Sequence, residues 1–480
     1  MRPIIKIFFF TWMGLILFFR PLLAEQQGSE FNPQVFKGMR VIMDDFLVND
    51  DTTGGCAQSQ SAIACDSSGN FVITWVDERD ATSQDIYAQR FDSNGTPLSS
   101  IFIVNDDTLP TSRDYTDIAM DRSGNFVITW RDYQSGSIFA QRYNYTGDRI
   151  GANFKVNESG YSYNPVVAMD GAGNFVIAWN TTNIWAQRYD SSGNPQGSNF
   201  KVSDLIGLVP DIAMNRSGDF VIIWQGRYCV SYPFPGYCFF DDIYAQIYDA
   251  SGTPVDTNFK IADYGSYSYS SSVAMDDSIN FIVTWGSGDI YGQRYSATGT
   301  PLGSKLKVND DAGGVGQANP DIAIDGSGNF IFTWTDARNA NWDIYAQRYD
   351  STGSPLGCNF KVNDDVGTAG QDYPAIALGG SNSFVIAWRD ERNQNFDIYI
   401  QRYNSAGTPS GCNFKVDDAG TAHQWTPAVA VNNYGDVVVT WEDYRNGSTN
   451  PDIYAQRYNY SGIPIGSNIK VNDDTGAAKQ

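Results

Sequence analysis

Residues 122 to 133 read RSGNFVITWRDY, and close variants of this string recur throughout the chain. The variants include SGNFVITWVD at 68 to 77 and SGNFIFTWTD at 327 to 336. Each apolar run ends on a tryptophan, and consecutive tryptophans lie 45 to 61 residues apart. The chain therefore contains eight repeated units, with a period typical of solenoids and propellers. The eight tryptophans are Trp75, Trp130, Trp179, Trp224, Trp285, Trp334, Trp388 and Trp441.

Every unit contains four short apolar segments. They are typified by PDIAMN at 210 to 215, NFVITW at 125 to 130, DIYAQRYD at 343 to 350 and NFKVND at 359 to 364. The segments are rich in Val, Ile, Phe and Tyr and are bounded by Gly, Asn, Asp or Ser, which favours strand over helix. Four strands in each of eight units predict an all-β fold, a β-propeller of eight four-stranded blades.

An open solenoid is the alternative, but solenoids usually need atypical capping repeats. The fourth segment instead occurs nine times, with copies at both ends of the array, at Phe46 to Asp51 and at Ile469 to Asp474. One copy is surplus to eight blades. We expect the N-terminal copy to complete blade eight and close the ring, which leaves the C-terminal copy loose or in competition for the same position.

The bulk composition limits the classes of partner. With 42% hydrophobic and 14% aromatic residues, the chain can bury a large core. Its net charge of -22 disfavours nucleic acid and anionic membranes as partners, because an acidic surface repels both. Neutral ligands and cations fit this charge better.

The N-terminus predicts export. Arg2 and Lys6 precede the apolar run IFFFTWMGLILFF at 7 to 19, and the small residue Ala24 suits cleavage. An uncleaved anchor is the alternative. We expect a secreted or cell-surface protein, without membrane insertion after cleavage, in which disulfides are permitted. The expected layout is a signal peptide at 1–24, a linker at 25–43, the propeller at 44–474 and a tail at 475–480.

An arginine recurs at one position of the third segment, where only Ile247 interrupts the series. We interpret it as structural and paired with carbonyl or carboxylate groups of the neighbouring blade. The first turn begins with Asp and ends with Asn in most units, and units four and eight exchange the two, which indicates a local turn network. The arginines are Arg90, Arg142, Arg188, Arg294, Arg348, Arg402 and Arg457.

Two acidic motifs vary in step among the units. After the tryptophan, units one, six, seven and eight carry an aspartate followed two residues later by an arginine, and unit two keeps Asp132 alone. The loops that lead into units one, two, six and seven read Asn-Asp-Asp, whereas units three to five lack both motifs. Because both loops leave a blade on the same face, we expect them to be in contact. The pairs are Asp77/Arg79, Asp336/Arg338, Asp390/Arg392 and Asp443/Arg445.

This contact has two interpretations. In the first, an aspartate–arginine lock ties one loop to the other. In the second, carboxylate and carbonyl oxygens hold Ca2+, which is plentiful outside cells. The chain lacks the spaced DxDxDG loop that would favour calcium strongly. The candidate calcium ligands are Asp50, Asp106, Asp310 and Asp364.

Unit four carries the one large insertion, QGRYCVSYPFPGYCFFD at 225 to 241. A disulfide between Cys229 and Cys238 would make a rigid loop that presents aromatic side chains on the face of the acidic motifs. Such side chains form contact hot spots and sugar platforms. The alternative is a loop that folds inward and plugs the central channel. The candidate contact residues are Tyr228, Tyr232, Phe234 and Tyr237.

The remaining cysteines give weaker predictions. Cys56 and Cys65 could close the leading loop of unit one onto its first strand, although a straight strand would hold them too far apart. Cys358 and Cys412 occupy equivalent places in units six and seven, beyond disulfide reach of each other. We expect these two to be free thiols or contacts with another chain.

No catalytic signature accompanies these motifs. The only histidine, His423, lies in a loop without a nucleophile motif and is interpreted as structural. HExxH, CxxC, P-loop and dinucleotide-binding patterns do not occur. The tryptophans outside the repeat and the signal that could stack on sugars are Trp185, Trp342 and Trp425. Enzymatic activity is therefore the less favoured interpretation, and no cofactor besides calcium is predicted.

The repeat GNFVIxWxDxR followed by DIYAQRYDxxGxPxGxNFKVNDD resembles a class of repeats found in large secreted or surface proteins of bacteria. The resemblance covers residues 44 to 474 and implies a propeller outside the cytoplasm. It transfers no catalytic residue, and units three to five depart from it most.

The sequence favours a secreted or cell-surface propeller that acts as a binding module for an extracellular glycan or protein. Its expected contact region is the face that bears the Asp/Arg pairs and the insertion of unit four. One alternative is an extracellular carbohydrate-active hydrolase or lyase that uses carboxylates of that face. The other is a purely structural scaffold in a surface layer or adhesin.

Overall fold

The computed structural model contains strands and turns, and no helix, in the part of the chain that it describes. No helix long and apolar enough to cross a bilayer occurs in that part. At 46–47, 227–230, 237–241, 263 and 469–470 only the backbone is described. The described residues are 46–47, 58–78, 83–93, 96–106, 111–230, 237–263, 271–311, 315–379, 382–416, 422–432, 434–445, 451–460, 462–465 and 469–470.

The strands form eight antiparallel sheets in chain order, and within each blade every strand pairs with the next one in the chain. This is the predicted eight-bladed propeller. Blades one and two comprise Gln58–Cys65, Phe71–Asp77, Asp85–Phe91 and Phe102–Ile103, then Arg113–Met120, Phe126–Asp132, Ser137–Tyr143 and Arg149–Lys155. Blades three and four comprise Tyr163–Met169, Phe175–Asn180, Ile184–Tyr189 and Phe200–Lys201, then Ile206–Met214, Phe220–Val230, Tyr237–Tyr248 and Phe259–Asp263.

The second half of the ring repeats the same order. Blades five and six comprise Ser271–Met275, Phe281–Ser287, Asp289–Tyr295 and Leu306–Lys307, then Gln317–Ile324, Phe330–Asp336, Asp343–Tyr349 and Phe360–Lys361. Blades seven and eight comprise Gln371–Leu378, Phe384–Asp390, Asp397–Tyr403 and Phe414–Lys415, then Gln424–Val431, Val437–Asp443, Asp452–Tyr458 and Ile469–Lys470.

Blade eight corrects the expected ring closure. The C-terminal strand Ile469–Lys470 is its fourth strand and pairs antiparallel with Asp452–Tyr458. The N-terminal strand Phe46–Leu47 lies outside it and pairs parallel with the C-terminal strand. The prediction that the N-terminal copy takes the fourth position was therefore wrong. The C-terminal copy follows the third strand after a short connection, so it pairs at the smaller loop-closure cost.

The core lies between blades rather than inside any one of them. The second strands are buried over almost their whole length, because both faces of an inner strand meet a neighbouring blade. Each repeat tryptophan is at most 2% exposed and packs against the preceding blade. Trp75 packs in this way against Ala428 and Ile453 of blade eight, which closes the core of the ring. The tryptophans are core residues, as predicted.

The recurring arginine confirms its predicted structural role. Arg90 donates to the backbone carbonyls of Tyr145 and Thr146, which lie in the turn between strands three and four of the next blade. Arg457 of blade eight donates to the carbonyl of Ser93 in blade one, so the series also spans the closing seam. The same contact is made by Arg142, Arg188, Arg294, Arg348 and Arg402.

The first turns form the predicted local networks. The carboxylate of Asp66 accepts hydrogen bonds from the backbone amides of Ser68 and Asn70, and from the Asn70 side chain. In unit four, Asn215 and Asp219 exchange these positions and keep the same bonds. Asn70 in turn accepts from the amide of Ser93, so this turn orients the carbonyl that receives Arg457.

Among the described residues, a β-bulge interrupts the first strand of seven blades near its start. The bulged residue has a left-handed backbone, with φ between 49° and 56°, although none of these residues is glycine. Such a conformation is costly, and surrounding contacts must fix it. The bulged residues are Gln60, Tyr115, Asn164, Val209, Asn319, Tyr373 and Thr426.

Candidate functional site

The blade topology divides the propeller into two faces around a central channel. We call upper the face that carries the blade-to-blade links and the loops between strands two and three. The lower face carries the turns between strands one and two and between strands three and four. The first strands surround the channel, and their bulges lie close to its upper mouth.

The Asp/Arg pairs of blades six, seven and eight lie on the upper face and act as structural locks. The Asp336 carboxylate accepts from the indole nitrogen Nε1 of Trp334 at 2.8 Å and from the Arg338 guanidinium at 2.8 Å. Asp390 and Asp443 hold the corresponding tryptophan and arginine in blades seven and eight. The aspartate therefore satisfies the core tryptophan and also fixes the loop.

The electrostatics of this lock favour the charged pair. Burial alone would raise the pKa of Asp336, but hydrogen bonds from Arg338 and Trp334 outweigh it and lower that pKa. Burial opposes the charge of Arg338 as well, yet its bonds to Asp336 and Asp310 raise its pKa. The Arg338 guanidinium also stacks over the ring of Tyr345, at 4.1 Å from its centroid.

The described arginines of these pairs, which the sequence offered as ligand contacts, bind aspartates of their own blades. Arg338, Arg392 and Arg445 each donate to the aspartate of their own pair at 2.8 Å, and their side chains are only 15% to 18% exposed. The Arg445 guanidinium also lies over the ring of Tyr454, at 3.8 Å from its centroid. Because Asp336, Asp390 and Asp443 already engage these guanidinium groups, the geometry favours a role in the fold, and ligand contact stays a prediction.

The expected contact between the two acidic motifs is present. Arg338 bridges Asp336 to Asp310 of the Asn-Asp-Asp link, at 2.6 Å, and Arg392 reaches Asp364 at 2.8 Å. Asp106, whose unit lacks the paired arginine, accepts from the amide of Asn153 at 2.9 Å and lies 3.8 Å from the guanidinium of Arg149. In blade one, Asp77 accepts from Trp75, whereas Arg79 and Asp50 lie outside the described residues.

These bonds give calcium no support at the predicted positions. Two of the candidate carboxylates, Asp310 and Asp364, each hold an arginine instead. In the described part of the chain, no group of three or more His, Cys, Asp and Glu residues could hold a metal ion. The geometry therefore favours the lock interpretation over the calcium interpretation.

A different cluster on the upper face combines exposure with rigid support. In blade seven, Arg389 is buried and donates through Nε to Asp372 at 2.6 Å. The ring centroids of Phe396 and Trp425 each lie 4.0 Å from its guanidinium carbon, and the ring centroid of Tyr373 lies 4.9 Å from it. The side chain of Tyr373 is 43% exposed. The buried arginine thus holds aromatic rings at the surface; we call this the blade-seven platform.

Blade two carries an equivalent cluster, the blade-two platform. Arg131 is buried and donates through Nε to Asp114 at 2.6 Å. The ring centroids of Tyr115, Tyr133 and Tyr163 lie 4.8 to 5.2 Å from its guanidinium carbon. Tyr133 is 64% exposed and Tyr163 is 40% exposed.

Sequence reasoning missed both platforms, although a signal for them exists. An arginine directly follows the repeat tryptophan only in units two and seven, and both units carry Asp-Tyr in the first segment. The pairing of that segment with the second strand places Asp114 opposite Arg131 and Asp372 opposite Arg389. Of the three candidate tryptophans outside the repeat, Trp425 belongs to the blade-seven platform. Trp342 is 42% exposed elsewhere on this face, and Trp185 is partly buried against the core.

The insertion of unit four extends strands two and three of its blade into a long hairpin. Its backbone register places Cys229 directly opposite Cys238, and the disulfide between them stays a prediction. Tyr228 and Tyr237 lie on this hairpin with only their backbone described, and Tyr232 and Phe234 lie outside the described residues. The predicted aromatic contact therefore stays a prediction.

The other cysteines and the histidine lie at separate places in the fold. Cys65 is buried at the end of the first strand, whereas Cys56 lies outside the described residues, so their pairing also stays a prediction. Cys358 and Cys412 are exposed free thiols. His423 accepts from the amide of Phe396 through Nδ1 at 3.1 Å, which anchors the loop beside the blade-seven platform.

The lower end of the central channel contains a cavity of about 290 Å³. Its lining includes Met120, Met169, Met214 and Met275. Higher in the wall, Asp117, Asp211 and Asp321 each accept a backbone amide of the next blade's first strand. These carboxylates therefore bind the edge of the neighbouring strand.

Comparison with known proteins assigns no family. No protein-family model matches the sequence, and no curated protein matches it. Among solved structures, Sqt1 from Chaetomium thermophilum is 10% identical, with a TM-score of 0.49, over 83% of this chain and 97% of that chain. Dipeptidyl peptidase 4 from Porphyromonas gingivalis is also 10% identical, with a TM-score of 0.46, over 82% of this chain and 57% of that chain. Likenesses this distant carry no argument about function.

Proposed function

We propose that this protein is an extracellular binding module whose upper face takes a neutral glycan. The fold supports a binding or scaffold role, and the two platforms favour binding. The observation that carries the proposal is the pair of exposed aromatic groups that buried arginines hold rigidly at the channel mouth. Aromatic groups fixed in advance bind at a small entropic cost.

The polar groups beside the rings favour a glycan over a protein. The side chains of Asp114 and Asp372 are 20% and 28% exposed, next to Tyr115 and Tyr373. A sugar can stack on such a ring while its hydroxyls donate to the carboxylate, which is the mixture of apolar and polar contacts that small-ligand sites use. The net charge of -22 disfavours acidic glycans.

The extracellular location rests on the predicted signal peptide at 1–24. If the segment is cleaved as expected, N-terminal sequencing of the exported chain gives Glu25 as its first residue. Retention of the chain in the cytoplasm would refute this part of the proposal.

A glycan array probed with the exported chain tests the binding function. We expect neutral glycans to bind, and Tyr373→Ala to weaken that binding by about tenfold or more, the effect typical of an interface hot spot. Tyr434→Ala is the matched control, since Tyr434 is 70% exposed in a first turn on the lower face.

Two outcomes would reject the glycan. The first is that no glycan on the array binds the protein. The second is that Tyr373→Ala and Tyr434→Ala weaken glycan binding equally. If the exported chain instead captured an extracellular protein in a Tyr373-dependent manner, the platforms would be protein-contact sites.

A further inference from the structure

We infer that the two platforms are paired subsites for one polymeric glycan, which occupies both of them at once. This inference rests on the proposed function and adds the class of ligand, a chain of repeated sugar units rather than a single sugar or short oligosaccharide.

The first support is the equivalence of the two platforms. Each consists of an aspartate, a bulged tyrosine, the arginine after the repeat tryptophan, and an aromatic residue of the next blade. The bulged tyrosines have nearly the same backbone, with φ of 54° at Tyr115 and 51° at Tyr373. The corresponding members are Asp114 and Asp372, Tyr115 and Tyr373, Arg131 and Arg389, and Tyr163 and Trp425.

The second support is that the constellation occurs in two blades only. At the position of the arginine, the other six blades carry Val76, Asn180, Gln225, Gly286, Thr335 and Glu442. A feature needed to build every blade would recur in most of them, as the recurring arginine of the third strand does. Two like platforms on one face therefore suit a ligand that presents the same chemical unit more than once.

The third support is a hydrogen-bonded track that connects the platforms along the channel mouth. Glu442, which is the register partner of Trp425, accepts from the amide of Gln60 at 3.2 Å. The side chain of Gln60 accepts from the amide of Tyr115 at 2.6 Å. The track runs from blade eight through blade one to blade two, so it spans the short side of the ring between the two platforms.

The closed ring makes the spacing of the platforms fixed. When a ligand is long enough to reach both sites, its second contact is intramolecular and gains affinity by about 10²-fold or more without any new type of contact. A ligand that reaches only one platform gains nothing from the other. The length of the glycan therefore decides the affinity.

The test compares short oligosaccharides with their parent polymers, using neutral glucans, mannans and xylans, on the exported chain. We expect one polymer to bind about 10²-fold more tightly than its disaccharide, per binding site. Tyr163→Ala and Tyr373→Ala should each reduce the polymer's affinity to nearly the level of the short oligosaccharide. Thermal unfolding of each variant and the control Tyr434→Ala establish that folding is intact.

Three results would overturn the inference. Equal affinity for disaccharide and polymer would show one independent subsite, while the proposed binding function would survive. A polymer affinity that only one of the two variants lowers would show that the platforms do not act together. Binding to none of these glycans would remove both the proposed function and the inference.

Discussion

The role of an aspartate in this chain depends on its position in the blade, because that position decides which hydrogen-bond donors lie near its carboxylate. In the first turn, Asp66 accepts turn amides. After the repeat tryptophan, Asp336 accepts an indole and a guanidinium. In the channel wall, Asp321 accepts the amide of Ile376 at 3.0 Å. These three aspartates thus each stabilise a different part of the fold.

The channel aspartate gives a pH prediction. Burial, together with the charge of Asp211, raises the pKa of Asp321 to about 7. In the unfolded chain this pKa is about 3.9, so the folded state binds the proton more tightly. Stability contributed by protonation is therefore gained as the pH falls below about 7 and is lost as the pH rises through that value.

Thermal unfolding between about pH 5 and pH 8 measures this effect. The unfolding midpoint of Asp321→Asn should change less with pH than that of the unchanged protein. Asp204→Asn, a substitution of an exposed aspartate, controls for the change in net charge. The same pH dependence in all three proteins would show that Asp321 does not titrate in this range.

At the scale of the structural elements, the ion pairs of the upper-face loops lead us to expect that calcium does not change the stability of the protein. The carboxylates of Asp310 and Asp364 already pair with Arg338 and Arg392. A chelator should therefore leave the thermal unfolding midpoint of the exported chain unchanged. Asp310→Ala should lower the midpoint by the same amount with calcium and with chelator. A marked drop on chelation that added calcium reverses would establish a metal site and contradict the lock.

The sequence predicted the blades because each strand carries its own pattern. The tryptophans, the recurring arginines and the contact between Asp310 and Arg338 all follow from repetition at fixed positions. The platforms could not be predicted in the same way. Each depends on a bulge that turns Tyr115 or Tyr373 toward the arginine, and on a ring supplied by the next blade.

The repeat pattern also does not predict which terminal strand takes the fourth position of blade eight. Both termini carry a copy of the fourth segment, so composition alone does not rank them. Chain connectivity decides, because Ile469–Lys470 follows its partner strand closely, whereas Phe46–Leu47 lies at the opposite end of the chain. The N-terminal strand is added outside the blade as a fifth strand.

At the scale of the whole molecule, the ring is closed by contacts between blades eight and one. Arg457, only 1% exposed, donates to the carbonyl of Ser93 across this seam. Burial lowers the pKa of Arg457 to about 10, which still leaves it charged at neutral pH. Bonds from a charged donor of this kind contribute about 1.5–3 kcal/mol each.

Arg457→Ala should therefore lower the unfolding midpoint, and by more than Arg348→Ala does. Arg348 makes the same contact between blades six and seven, but it is partly exposed and the chain itself links those blades. Thermal unfolding of both variants measures the difference. A smaller loss for Arg457→Ala would mean that the closing seam does not limit stability.

Tyrosine footprinting tests the central claim, that the upper-face platforms bind the ligand, most directly. The exported chain would be oxidised with hydroxyl radicals, with and without a neutral polysaccharide such as glucan, mannan or xylan that it binds, and mapped by mass spectrometry. We expect protection of Tyr133, Tyr163 and Tyr373, all of which are exposed on the upper face, and no change at Tyr145 or Tyr434 on the lower face. Protection of Tyr145 and Tyr434 without protection of Tyr163 and Tyr373 would contradict it.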